Sequence, residues 1–499
     1  MTQNFDVIII GGGIVGSMMA RSLSRYKLSI LLIEKETDIC MGATAGNSAF
    51  VHAGYDPVPG SLKAYTNVEG NELYEQLSID LGFDFERNGD YVVAIGQEDG
   101  PALERLMAQG KRNGVPGLEM ISGMELLKRE PLVNPEAVCA MWAPSGGTCD
   151  PFGANIAACE NAIQNGVQVM LETEFLDFIL EGSRITGIRT NRGEYLCRWA
   201  VNAAGLYADD VMHKAGLRPE FKIQPRRGEY YVLDEAEIEL KPCFFPTPST
   251  AGKGILVAGT VHGNVIIGPN AEVIEDKEDR AVTSAGLQEV ICGAKKIIPS
   301  LTLRPVISLF AGLRAYGNAP CENPGVDYGH DFIIEIPSKI QGLVNLGGIE
   351  SPGLTAAPAI AIRVIEMLKD AGEKLEEKKD WNPVRQRRPR FRHLSMEERA
   401  NLIRKDERYG RVVCRCEMVT EGEIVAEIHA PLPAHTYDAI KRRTWLGTGR
   451  CLGGFDLPRV VNILSRELEV SPLEVSKKGP DSEFLTGTTK PGMTWGAEG

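Results

Sequence analysis

Three sets of residues have types and spacings that chemistry could use. The first is the stretch DVIIIGGGIVG, in which Gly11, Gly13 and Gly16 fall on a G-x-G-x-x-G pattern. In such a pattern the first glycine makes a tight turn, the second lets a pyrophosphate approach the backbone, and the third packs helix on strand. The helix that follows brings free N–H groups and a positive dipole end that suit phosphates. Glu34, at the end of the next apolar run and followed by Lys35, can accept from a ribose hydroxyl. Strand, glycines, helix, strand and acid together read as a dinucleotide-binding unit. The second set is a lone histidine, His52, inside CMGATAGNSAFVHAGYD. That stretch is rich in small residues and reads as a loop able to lie against a flat cofactor. An imidazole near its ordinary pKa suits proton transfer at neutral pH. The third is a set of cations. Arg314 is a candidate anion anchor, since a guanidinium matches phosphate or carboxylate in bidentate fashion; the alternative is an interdomain salt bridge. Lys253, between two glycines, is a second cation. Tyr230, in RGEYY, either lines a pocket or packs in a sheet.

The elements that must position these residues follow from pattern. Val7–Ile10 and Leu28–Ile33 read as buried parallel strands flanking a helix from Ser17 to Tyr26. Helices are expected over Ser61–Leu81, Gly100–Leu127 and Phe152–Asn165. Strands are expected over Asp90–Gly96, Val167–Thr173, Ile185–Thr190 and Trp199–Ala203, with a turn at Gly146–Asp150. Ala204 and Gly205, after an apolar strand, suggest a second approach of backbone to the dinucleotide. Between 222 and 325, short β-rich runs separated by Gly, Pro and Asn predict a mainly antiparallel sheet. GGIESPGLTAAPAI, from Gly347 to Ile360, reads as a marked loop entering a helix that ends near Asp370. The charged run Lys374–Asp380 reads as a helix end or linker, and the basic RQRRPRFRH as a linker pairing with an acidic body.

Bulk composition sets bounds. A chain of 499 residues suggests about three domains. A net charge of −13 argues against a nucleic-acid partner. The N-terminus enters a strand with no basic, cleavable leader, and no apolar run reaches the ~18 residues of a spanning helix. A cytoplasmic or membrane-peripheral location is expected. The eleven cysteines, in a chain with no secretion signal, are not a disulfide framework.

The motifs together resemble a family. The fingerprint, NSAFVHAGYD, NAAGLYAD, RRGEYYVLD, GNVIIGPNAE, FAGLR and GGIESPGLTAAPAI are similar to FAD-dependent glycerol-3-phosphate dehydrogenases. More widely they resemble the D-amino-acid-oxidase-like flavoproteins, including L-2-hydroxyglutarate oxidases. The resemblance spans nearly all of residues 1–370. It implies an α/β fold with a Rossmann-type FAD-binding domain (1–80, 145–221 and 326–372). An antiparallel-sheet substrate domain (81–144 and 222–325) would follow. It implies FAD held by Gly11, Gly13, Ile14, Val15, Gly16, Glu34, Lys35, Ala45, Asn47, Ser48, Ala204, Gly205, Gly353, Leu354 and Thr355. His52 matches the family's histidine beside the flavin, and Ala49 stands where the family commonly has glycine.

Past a linker (373–393), CRCEMVTEGEI and KRRTWLGTGRCLGGFD look like the small, mainly helical module (394–477, then a tail, 478–499) that binds a [2Fe–2S] cluster. The family's ligands are four cysteines. Cys414, Cys416 and Cys451 match three, and Asp456 stands at the fourth position. Two readings stay open there: a cluster with one carboxylate ligand, or a helical module that has lost it.

The implied reaction is oxidation of a small anionic hydroxy substrate, sn-glycerol 3-phosphate, by hydride transfer to the flavin. A 2-hydroxyacid or amino-acid dehydrogenase on the same scaffold is the alternative. An electron-transfer flavoprotein subunit is the second alternative. No second dinucleotide fingerprint follows a strand, so electrons go to oxygen, a quinone or a protein. The appended module favours a redox partner subunit.

Overall fold

The computed structural model describes residues 3–217, 221–236, 238–248, 254–317 and 331–489. Lys253 therefore lies outside the described residues.

The first strand, Gln3–Ile10, has four consecutive buried residues at its end and pairs in parallel on both sides, with Ile30–Ile33 and with Gly193–Asn202. Burial on both faces explains why it carries no polar alternation. Ile30–Ile33 pairs onward with Gln168–Met170. Gly193–Asn202 has two neighbours along one edge. Its first half pairs antiparallel with Arg184–Thr190, and its end pairs parallel with Leu343–Gly347. Helix Ile14–Leu23 packs on the sheet and against both Pro151–Gln164 and Gly353–Asp370. The helix Leu62–Leu81 is capped by the Ser61 hydroxyl, which accepts from the Ala64 N–H, and it stops at Gly82 with φ +67. Gly70 lets it lie close on Gly353–Asp370: a Cβ there would sit 2.1 Å from the Thr355 carbonyl oxygen.

A second sheet of nine strands is mainly antiparallel. Its backbone is the pair Ile223–Leu233 and Val306–Gly317, in register along almost their whole length. Asp90–Ala94, Cys139–Ala143 and Glu119–Ser122 complete its far edge. The helix Ser284–Ile297 covers one face of this sheet, with Val290, Ala294 and Ile297 fully buried.

Three expectations are corrected. Gly100–Leu127 is not one helix. It is a helix over Gly100–Arg112, a strand over Glu119–Ser122 and a short helix over Gly123–Arg129. The NGVPG stretch breaks it, because Gly114 and Gly117 adopt φ +85 and +70 and Pro116 lies between them. Gly147–Cys149, within the expected turn, is a strand pairing with Phe50–Val51 and Phe85–Glu86. Lys374–Asp380 is neither free linker nor helix end: Glu377 bridges Tyr26, and the Lys27 N–H donates to the Glu376 carbonyl.

The C-terminal module is mainly helical, with Glu421–Ile428, Tyr437–Thr444 and Leu457–Leu468 around its own apolar core. Buried carboxylates of the main body hold it. Asp38, fully buried, accepts from Arg442 and from both terminal nitrogens of Arg443 at 2.7–2.9 Å. Glu160, also fully buried, accepts from Arg385 and Arg388 of the basic segment, and Arg388 also reaches Glu427 of the module. The expected pairing of that segment with acidic groups is thus realised in buried, multidentate form. No helix among the described residues is long and apolar enough to cross a membrane.

Replacing Asp38 by Ala leaves Arg443 charged, buried and unpaired, which should cost about 3–5 kcal/mol. Denaturant unfolding should show the loss, with the module released before the main body. The two arginines hold the Asp38 carboxyl below its ordinary value. Its contribution is therefore present above the unfolded pKa of about 3.9 and is lost as pH falls below it. A D38N variant should abolish that acid sensitivity of module release.

Candidate active site

The two sheets and the small-residue loop enclose a cavity of about 1980 Å³. Its walls meet because backbone approaches backbone without side chains. At Gly11, with φ +109, a Cβ would lie 2.5 Å from the Ala203 carbonyl oxygen. Gly46 and Gly312 touch across the opposite wall, where a Cβ on Gly312 would lie 1.9 Å from the Gly46 carbonyl oxygen.

One end of the cavity is built by the carboxyl ends of the parallel strands. Gly11, Gly13, Ile14, Val15, Glu34, Lys35, Ala204 and Gly205 all line it. Gly13 caps the helix without a side chain, which leaves room for an anion at the helix start. The Glu34 carboxyl accepts from the Gly12 and Glu36 N–H groups, at 2.7 and 3.1 Å. Burial pushes its pKa up. Gly16 does not reach the cavity. Its Cβ would meet the Gly11 carbonyl oxygen at 2.0 Å, so its place is the helix-to-strand contact.

At the other end the loop supplies Asn47, Ser48 and His52. Asn47 accepts from the Ala49 N–H at 2.7 Å and donates to the Thr44 carbonyl at 2.8 Å. That turn holds Ala49 at φ +57, a left-handed conformation that costs a non-glycine residue about 1 kcal/mol. It is the physical reason glycine suits this position. Ala45 is not among the lining residues.

His52 is fixed from several sides. Its N–H donates to the buried Thr355 hydroxyl at 2.9 Å, and its carbonyl accepts from Asn67 and Asn71. Its Nε2 is 3.1 Å from the Ser351 hydroxyl. Phe50 meets its ring edge-on at 4.8 Å, and Phe245 lies 6.2 Å away. Thr355 thus orients His52, while Ser351, Gly353 and Leu354 line the cavity beside it.

Arg314 faces the same space. It donates to the Asn270 and Arg226 carbonyls at 2.8 and 3.4 Å. Burial disfavours its charge, and neighbouring Tyr230 and Glu350 oppose that effect. Tyr230 stacks on Phe310 at 4.5 Å, and burial pushes its pKa up to about 12. Ser351, Phe245 and Arg226 are among the lining residues that sequence reasoning missed. Arg226 is directly opposite Arg314 in the strand pair, and its Nε is buried without a hydrogen-bond partner. Its signal was present in the sequence. Positions 226, 228 and 230 share one face of a strand, so Arg226 travels with Tyr230.

His262, the other histidine whose place bears on the choice of base, is elsewhere. It lies against Trp445 of the C-terminal module with ring centres 4.1 Å apart, and groups with Asp84 and Asp150. Asp150 caps a helix and Asp84 pairs with Arg387, so that group already has structural duties.

In the module, Cys414 is buried at the end of a short strand, and Cys416 neighbours Cys451. Burial and nearby Asp456 push the Cys414 thiol up to about 11. Asp456 is 1% exposed; its Oδ1 accepts from Tyr437 at 2.8 Å, and its Oδ2 has no hydrogen-bond partner. A buried carboxylate oxygen left open beside a cysteine is a ligand atom in need of a partner. The donor set fits an iron–sulfur group with one oxygen ligand.

Residues 6–367 match the family described as FAD dependent oxidoreductase. The chain belongs to that family. Residues 412–466 match the BFD-like [2Fe-2S] binding domain. The chain is 43% identical to a glycerol 3-phosphate dehydrogenase of Caloramator mitchellensis, over 97% of this chain and 99% of the relative. It is 32% identical over 56% of its length to the mitochondrial L-2-hydroxyglutarate dehydrogenase of Homo sapiens, covering 63% of that protein. Among solved structures it resembles the FAD-bound L-alpha-glycerophosphate oxidase of Mycoplasma pneumoniae, with TM-score 0.72 and 32% identity. That match covers 78% of this chain and all of the other. The flavin family accounts for a cavity with a dinucleotide fingerprint at one end and a histidine at the other.

Gly312→Val should drive the strand off Gly46 and narrow the cavity. The purified variant should carry much less FAD per chain than the parent, read from visible absorbance and from FAD released on denaturation.

Proposed function

We propose that this flavoenzyme oxidises sn-glycerol 3-phosphate to dihydroxyacetone phosphate and delivers the electrons to a redox partner through its C-terminal module. The observation that carries the substrate is the side-by-side placement of Arg226 and Arg314 on one wall of the cavity that holds His52. Two guanidiniums match the double negative charge of a phosphate monoester, whereas one suffices for a carboxylate. The similarity to glycerol-phosphate enzymes over nearly the whole chain supports the same choice.

Bound FAD supplies the hydride acceptor. The chain's own residues do the rest. Arg314 and Arg226 hold the phosphate. The His52 Nε2 takes the hydroxyl proton as the C–H bond breaks. Ser351 meets the imidazole at Nε2, Thr355 holds the backbone N–H beneath it, and Phe50 and Phe245 keep water from its sides. Tyr230, neutral at working pH, forms an uncharged wall.

His52→Ala should keep FAD yet slow anaerobic flavin reduction by about 10²–10⁴-fold, the usual effect of removing a general base. Near-normal reduction in that variant would place the base elsewhere. Arg226→Ala should raise KM for glycerol 3-phosphate more than it lowers kcat, and should leave any slow reduction by 2-hydroxyglutarate less affected. Bleaching by 2-hydroxyglutarate but not by glycerol 3-phosphate would favour the hydroxyacid reading, for which the human relative is the support.

Cys414, Cys416, Cys451 and Asp456 are the residues that would hold a [2Fe–2S] cluster. Carboxylate is a harder ligand than thiolate and suits this iron less well. Iron and sulfide should therefore be present after anaerobic purification and partly lost in air, and Asp456→Cys should slow the loss. Iron-free protein from anaerobic preparation would show a helical module without a cluster.

A further inference from the structure

The surface around the cluster ligands differs in charge from the chain that carries it. The chain has a net charge of −13. From 447 to 459 the one carboxylate is Asp456, and it is buried. Carboxylates nearby are already engaged: Glu417 by Arg392, Asp234 by Arg450, and Glu421 by Arg411 and Arg466. Arg415 and Arg459 are exposed, and among the described residues neither has a carboxylate within ion-pair distance. Arg459 donates to the Val412 carbonyl at 3.2 Å, which places it beside the strand that ends at Cys414.

Beside the ligands the loop turns large apolar side chains outward. Phe455, next to Asp456, is 83% exposed, and Leu452, next to Cys451, is 57% exposed. Leu452 is also held at φ +48. A leucine in the left-handed region costs about 1 kcal/mol and here buries little in return. Exposed cysteine Cys416 completes the patch.

The geometry points to a docking face for an acidic carrier protein that accepts one electron at a time. The inference rests on the reading that electrons leave through the module. Leu452 and Phe455 form the apolar centre and Arg415 and Arg459 the cationic rim, each within three residues of a cluster ligand along the chain. An apolar centre with a polar rim is the usual anatomy of a protein interface, with an aromatic anchor at its middle. A basic patch on an acidic chain orients an acidic partner, because the remaining surface repels it. Electrostatic steering of this kind raises association rates by roughly 10–10³-fold. An anionic membrane is less well matched, since two unpaired arginines fall short of the roughly 4–8 basic residues that such surfaces recruit. Oxidation of one secondary alcohol to a ketone releases two electrons and two protons. Two oxidised carrier molecules each accept one electron at this face, and the protons pass to solvent.

The test uses the full chain carrying FAD and cluster. Zinc-substituted rubredoxin, acidic and redox-inert, serves as the binding probe, and iron rubredoxin as the electron acceptor. Binding of the zinc form should saturate, weaken with added salt, and fall tenfold or more in both R415E/R459E and L452S/F455S. Reduction of iron rubredoxin during glycerol 3-phosphate turnover should fall in parallel, with carrier-free flavin bleaching unchanged. Binding that ignores both double variants, tighter binding of basic cytochrome c, or capture by phosphatidylglycerol vesicles without rubredoxin binding would overturn the docking face. Absence of bleaching by glycerol 3-phosphate in the parent would overturn the substrate reading alone, because the zinc titration needs no turnover.

Discussion

The active cavity exists because backbone meets backbone at a few places where a single Cβ would not fit. Gly11 lies against Ala203, Gly16 against Gly11, and Gly46 against Gly312. The first seats the fingerprint turn against the end of the neighbouring strand, the second brings the dinucleotide helix onto that turn, and the third closes the loop bearing His52 onto the second sheet. Everything that faces the cavity inherits its position from these approaches. Ala49 shows the other side of the constraint. It accepts a left-handed backbone, held there by Asn47, to keep the loop's path.

Charge buried without exposure organises the attachment of the C-terminal module. Asp38 and Glu160 are almost solvent-free, and each is surrounded by guanidinium donors. Such pairs add little net stability over apolar packing, but removing one partner leaves a costly unpaired charge. They join the body to the basic segment and to the module at fixed, buried points.

Within the cavity, chemistry is divided between two ends. The helix start and Glu34 present polar backbone and one acid to a dinucleotide. The far end gathers an imidazole, two guanidiniums and aromatic walls. No single element supplies that set. His52 comes from the loop, Arg226 and Tyr230 from one long strand, Arg314 from its partner strand, and Ser351 from the turn before a helix.

Local pattern was enough to expose the glycine fingerprint, the buried parallel strands, the change to short β runs after 222, and the cysteine spacing of the module. Each depends on residues near one another in the chain. The resemblance to FAD-dependent glycerol-3-phosphate dehydrogenases, read from those motifs, agrees with the relatives found. Pattern failed at Gly100–Leu127, where apolar spacing suited a helix and the NGVPG turn prevailed. Only the tertiary structure decided which cations share a wall, because Arg226 and Arg314 are neighbours through strand pairing across a long sequence gap. It also decided that Thr355 serves His52 from beneath, that Gly16 packs and does not line, and that Asp456 keeps one oxygen open in a buried place. Those outcomes depend on which surfaces meet when the sheets and helices close, and no local stretch of sequence carries that information.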